Sequence, residues 1–198
     1  MSKKLWEASL KQKNNSTLFA FEKYISKKFN IKFNNNYKKI LDWSIKKSPE
    51  FWSSFWDFTR IKGVKSNKKI KKSKIFYKNF FLPNSKLNFA DNLLSKNNDE
   101  KAITFISENG FRKEQTWLEL NQNTSKLQEF LKLKKIKQKD RVAAYMPNII
   151  ETVEAFISTT SIGAIWSSCS PDFGVKGVIE RFSQINPKLL FITDQYFY

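Results

Sequence analysis

From Arg141 to Thr193, short strand-like runs alternate with amphipathic stretches in the order strand, helix, strand, helix, strand, joined by turns of only a few residues. Arg141 to Met146 reads as a strand stopped by Pro147. Ile149 to Ile162 reads as a helix with Val153, Phe156 and Ile157 inward, and Gly163 ends it. Ala164 to Cys169 is the next strand, Val175 to Ile185 the next helix, and Leu189 to Thr193 a short third strand. A helix between two strands carries the chain back along the sheet, so successive strands run parallel and the helices cover its faces. The predicted fold class is therefore α/β, with the start of a doubly wound, mostly parallel sheet that is incomplete within these residues.

The residues before this pattern are organised differently. Ala102 to Ile106 and Phe111 to Gln115 flank the turn signal Asn109-Gly110 and predict a hairpin. Thr116 and Glu119 match a capping box that opens a helix with Leu120, Leu127, Phe130 and Leu131 on one face. The leading hundred residues are aromatic-rich and helical. Leu18 to Ile25 predicts one helix, Tyr37 to Ser48 a second with Ile40, Leu41 and Trp43 inward, and Ser48-Pro49-Glu50 a third start with Ser48 as cap. Phe51, Phe55 and Phe58 recur at helical spacing, with Trp52 and Trp56 beside them, which favours packing over a base-stacking ladder. Gly63 to Lys74 reads as an exposed connector. The expected division is an amino-terminal region over 1–98 and a second domain over 99–198, with no internal repeat.

Composition excludes several chemistries. With no histidine and one cysteine, Cys169, the 198 residues hold no Ser-His-Asp or Cys-His system, no imidazole metal site and no internal disulfide. That fits a reducing, cytoplasmic setting, and no apolar run is long enough to span a membrane. The net charge is +18, yet residues 1–100 carry 23 basic and 8 acidic groups whereas 141–198 carry 4 and 5. The basic groups are 32 Lys and 4 Arg, although phosphate and base recognition draws on the bidentate guanidinium. A solvated lysine surface is thus favoured over nucleic-acid or other polyanion binding led by Lys62–Lys78.

Open α/β sheets bind ligands in the loops after strand carboxyl ends. Two such loops occur here, Met146-Pro147-Asn148 and Cys169-Ser170-Pro171-Asp172-Phe173-Gly174. In the second, Ser170 and Asp172 offer polar groups ahead of a helix start, and Phe173 is placed to flank a flat ligand. The bland reading is that Asp172 caps the helix. No GxGxxG or GxxxxGK[ST] phosphate cradle is present, and no catalytic or metal-ligating residue is assigned.

The run Gly163-Ala164-Ile165-Trp166-Ser167-Ser168-Cys169-Ser170-Pro171-Asp172-Phe173-Gly174, within Arg141 to Tyr198, closely resembles the acetoacetate-activating branch of the acyl-CoA synthetase/luciferase superfamily of adenylate-forming enzymes. Leu5-Trp6-Glu7, the Trp43 to Phe58 segment and Leu87-Asn88-Phe89-Ala90-Asp91-Asn92-Leu93-Leu94 are similar to that family's leading region, in the same order; Lys62–Lys78 is least similar. The resemblance implies ligation of the small-molecule substrate acetoacetate to CoA with ATP and Mg2+, by way of an acyl-adenylate. An acetyl- or propionyl-CoA synthetase is the alternative, and the Trp166 to Gly174 run argues against it. The resemblance also implies that the family's phosphate loop and catalytic lysine fall outside these residues, so that the chain is expected to be an amino-terminal part, inactive alone. It assigns Ser170, Pro171, Asp172 and Phe173 to a CoA-side loop. Oligomeric state is not specified by any of these features.

Overall fold

The computed structural model describes residues 5–196, so that Met1 to Lys4 and the end of the resembling run, Phe197 and Tyr198, lie outside the described residues. The chain forms two compact units, the first ending at Leu87 and the second starting at Asn88.

The first unit is built on aromatic side chains. After the short exposed helix α1 (Leu10–Asn14), helices α2 (Thr17–Phe29), α3 (Tyr37–Lys46) and α4 (Ser48–Phe58) pack around buried Phe21, Ile25, Phe33 and Ile40. Phe21 meets Phe51, Phe55 and Phe58 at centroid distances of 5.8, 6.0 and 5.1 Å in edge-on geometry. Such packing suits ring quadrupoles and bears out the packing role of Phe51 and Phe58, with Trp56 buried, whereas Trp52 and Phe55 remain partly open to solvent. Two expectations are corrected. Leu41 faces outward, because Ile40 and Trp43 already fill the inward side of α3. Ser48 does not cap: Lys47 holds the cap position without a side-chain bond, and Ser48-Pro49 form the first turn. The Gly63 to Lys74 connector also contains two-residue strands. β1 (Gly63–Val64) and β2 (Ile70–Lys71) pair antiparallel with β4 (Lys86–Leu87) and β3 (Phe80–Phe81), respectively.

In the second unit α5 (Phe89–Leu93) precedes the antiparallel hairpin β5 (Lys101–Ile106) and β6 (Arg112–Thr116). Its turn carries Gly110 at φ +82°, a conformation open to glycine. The Thr116–Glu119 capping box then opens α6 (Trp117–Leu133). Leu120, Thr124 and Leu131 are buried along that helix, whereas Phe130 points to solvent, a quarter-turn or more off the stripe.

Strands β7 (Arg141–Tyr145), β8 (Ile165–Cys169) and β9 (Leu189–Ile192) form a parallel sheet in the order β8-β7-β9. Helices α7 (Ile150–Ser161) and α8 (Val175–Ile185) supply the crossovers. Side chains alternate between the faces, as the pleat requires. Val142, Trp166, Leu189 and Phe191 pack with Leu131 and Ile136 on one face. Ala143, Tyr145 and Cys169 pack with Phe182, Val178 and Ile185 of α8 on the other. Strand β8 is an edge of this sheet, with Ile165 and Ser168 exposed. Among the described residues no helix is long and apolar enough to cross a membrane.

Asp140 fastens the amino ends of the sheet. Its carboxylate accepts from Lys137 N at 2.7 Å and from Lys188 Nζ, just before β9, at 2.8 Å. The Lys188 bond, then the Lys137 N–H, hold its pKa below the ordinary 3.8, and burial opposes them weakly. A depressed native value contributes stability above the unfolded-state pKa and loses it as pH falls through the native one. Asp140→Asn is therefore expected to unfold at lower urea than the parent at pH 7, with the gap narrowing as the pH falls below the ordinary aspartate range. A gap that persists unchanged in acid would contradict this role.

Candidate functional site

The order β8-β7-β9 creates a switch point. The loop after β7 leads to α7 on one face, while the loop after β8 leads to α8 on the other. Adjacent strands whose connections diverge in this way leave a crevice at their carboxyl ends. Both loops singled out from the sequence stand at that end of the sheet.

The β8–α8 loop is tied from several directions. Tyr145, the last residue of β7, places its hydroxyl 2.8 Å from the Pro171 carbonyl oxygen and 2.9 Å from that of Phe173. Ser170 Oγ donates to the Asp172 carboxylate, and the Tyr196 hydroxyl lies 3.5 Å from Asp172 Oδ1. The guanidinium of Arg181, on α8, sits 4.1 Å from the centre of the Phe173 ring, a cation–π contact. Asp172 does not cap α8, contrary to the bland reading: Gly174 is the cap residue, and no side chain bonds the first-turn amides. Asp172 instead organises its own loop. The flat face that Phe173 was expected to offer is occupied on one side by Arg181.

A cleft of about 530 Å³ opens at the same end of the sheet. Phe105, Ile106 and Phe111 at the hairpin tip form one wall; Pro147, Asn148 and Ile149 after β7 and Gln195 and Tyr196 after β9 form the other. Its lining is apolar with a few polar groups, the usual make-up of a small-molecule site. Ser170, Pro171, Asp172 and Phe173 are not part of this lining; Tyr196 connects the two through its approach to Asp172.

Behind the cleft the hairpin is pinned to α7 by a polar cluster. Gln115 Nε2 and Asn123 Nδ2 both donate to Glu154 Oε1, at 2.5 and 2.7 Å, and Lys113 pairs with Glu151 at 2.7 Å. Sequence reasoning assigned no role to Tyr145, Arg181, Tyr196 or the hairpin tip. For Tyr145 a signal existed, since it ends a strand whose alternation turns it toward the loop. The hairpin tip carried none.

Among the described residues no three of His, Cys, Asp and Glu come together in a way that would hold a metal ion.

Residues 91–197 match the family model described as AMP-binding enzyme. Over 194 residues the chain is 38% identical to the acetoacetyl-coenzyme A synthetase of Rhizobium meliloti (strain 1021), covering 98% of this chain and 30% of that protein. It is 40% identical over 167 residues to the acetoacetyl-CoA synthetase of Xenopus tropicalis, covering 82% of this chain and 25% of that one. The solved acetoacetyl-CoA synthetase from Streptomyces lividans superimposes with a TM-score of 0.93 at 25% identity, over 100% of this chain and 31% of its own. The chain thus spans about 30% or less of the length of these relatives. With more than half of its residues matched by one family model, and with the strand-end crevice of a doubly wound sheet in place, the chain belongs to the AMP-binding enzyme family.

Proposed function

We propose that these residues form the amino-terminal part of an acetoacetate–CoA ligase. In that reaction a carboxylate oxygen of acetoacetate attacks the α-phosphorus of ATP and releases pyrophosphate. The sulfur of CoA then attacks the acyl carbon of the adenylate, and AMP leaves. The observation that carries this reading is the likeness to acetoacetyl-CoA synthetases of several organisms over most of the chain, combined with near-complete superposition on one of them.

Within that reaction this chain contributes the crevice at the carboxyl ends of β7 and β8 and the loop Ser170–Phe173, which we assign to the CoA side. The loop offers the Ser170 hydroxyl and the exposed Phe173, with the Arg181 cation against the Phe173 ring. Placement in the cytoplasm accords with a single cysteine that is buried and free.

Grafting tests the assignment. The chain is placed in the Rhizobium meliloti acetoacetyl-CoA synthetase in exchange for the matching 30% of that protein. In parallel it is placed in an acetyl-CoA synthetase at the equivalent position. The first graft is expected to release pyrophosphate in an acetoacetate-dependent manner, and the second to fall below about a tenth of its parent's rate, because a misfitted site loses transition-state binding. Two soluble, folded grafts of equal relative activity would overturn the acetoacetate assignment. A folded but inactive first graft would overturn the ligase assignment itself.

A further inference from the structure

Tyr145 joins the sheet to the loop that follows β8. Its ring packs against Ala143, Cys169 and Phe182, beneath α8, so its position is set by the core. Its hydroxyl reaches the carbonyl oxygens of Pro171 and Phe173. A phenol carries one proton, which it gives to one carbonyl or shares between the two. Either way, two carbonyls spaced two residues apart are turned inward, and Asp172 and Phe173 are left exposed on the outer side. The other ties of the loop come from within it, as in Phe173 N to Ser170 O at 3.2 Å, or from its exposed surroundings, as in Tyr196 and Arg181. Tyr145 is the tie that runs to the sheet core.

We propose that Tyr145 is a positioning residue for the second half of the reaction, holding Ser170–Phe173 in the conformation that receives CoA. This rests on the CoA-side assignment above. It predicts a division between steps: adenylate formation does not use the loop, and thioester formation does.

Tyr145→Phe removes one oxygen and keeps the ring in its packing site. In the active graft it is expected to raise the KM for CoA about three- to tenfold, the worth of one hydrogen bond. Acetoacetate-dependent exchange of pyrophosphate into ATP, measured without CoA, stays unchanged. In the isolated chain, amide hydrogen exchange at Asp172, Phe173 and Gly174 accelerates while β7 and α7 keep their protection. A merely structural role would lower the thermal midpoint and depress both half-reactions together, and that result overturns the proposal. So does a CoA KM within twofold of the parent, or loop exchange that does not change. If the parent graft shows no acetoacetate-dependent exchange, the ligase reading fails, while the exchange rates of the loop still judge the Tyr145 tie.

Discussion

Asn88→Ala is expected to lower the unfolding free energy by about 2–4 kcal/mol, because four hydrogen bonds meet on one half-buried side chain. Its Nδ2 donates to the carbonyls of Thr160 and Ser161 at 3.1 and 3.0 Å, the last turn of α7. Its Oδ1 accepts from Ala90 N and Asp91 N at 2.8 and 3.3 Å, capping α5. One amide thus starts one helix and finishes another, which explains why residues after Leu87 pack with the second unit. Asn88→Asp separates the two halves of the role. The carboxylate keeps the cap but cannot donate, and it sets negative charge against the carbonyl end of α7. At pH 7 it is expected to be no more stable than the alanine variant, and to regain stability as acid protonates it. Urea midpoints at pH 7 and about pH 4 measure this. An aspartate variant equal to the parent at pH 7 would show that the α7 bonds contribute nothing.

Ile157→Ala should cost about 2–5 kcal/mol, since the side chain is 0% exposed and a truncated core side chain leaves a cavity as well as losing transfer energy. Ile157 lies where α5, α6 and α7 converge, in a cluster with Ala90 and Leu120. A loss of that size is a large fraction of a typical domain's total stability. Leu133→Ala, at a position 80% exposed, serves as the control and should change stability by less than about 0.5 kcal/mol. Unfolding followed by circular dichroism gives both values. Equal shifts for the two variants would contradict the assigned core.

The parallel sheet was legible in advance because its signals are local. A short apolar run stopped by Pro147, a helix stopped at Gly163 (φ +72°) and the Thr116–Glu119 box each act within a few residues. Where the reading failed, a distant partner decided. Leu41 and Phe130 are as apolar as their neighbours, and only the position of the opposing helices tells which side is covered. Ser48 has the chemistry of a cap, but α3 ends so close by that Lys47 serves as both the end of one helix and the start of the next. The site divides in the same way. Loops after strand ends could be named from strand order alone. The cleft wall from Phe105, Ile106 and Phe111 depends on how the hairpin leans on α7 through Gln115 and Glu154, two residues 39 positions apart.

The order β8-β7-β9 also bears on how the polypeptide is made. The middle strand leaves the ribosome first, and each later strand finds a free flank, first on one side and then on the other. No strand has to wedge itself between two that are already joined. The nascent chain can therefore assemble this sheet outward as it lengthens, and its hydrogen-bonding groups need not wait long for partners.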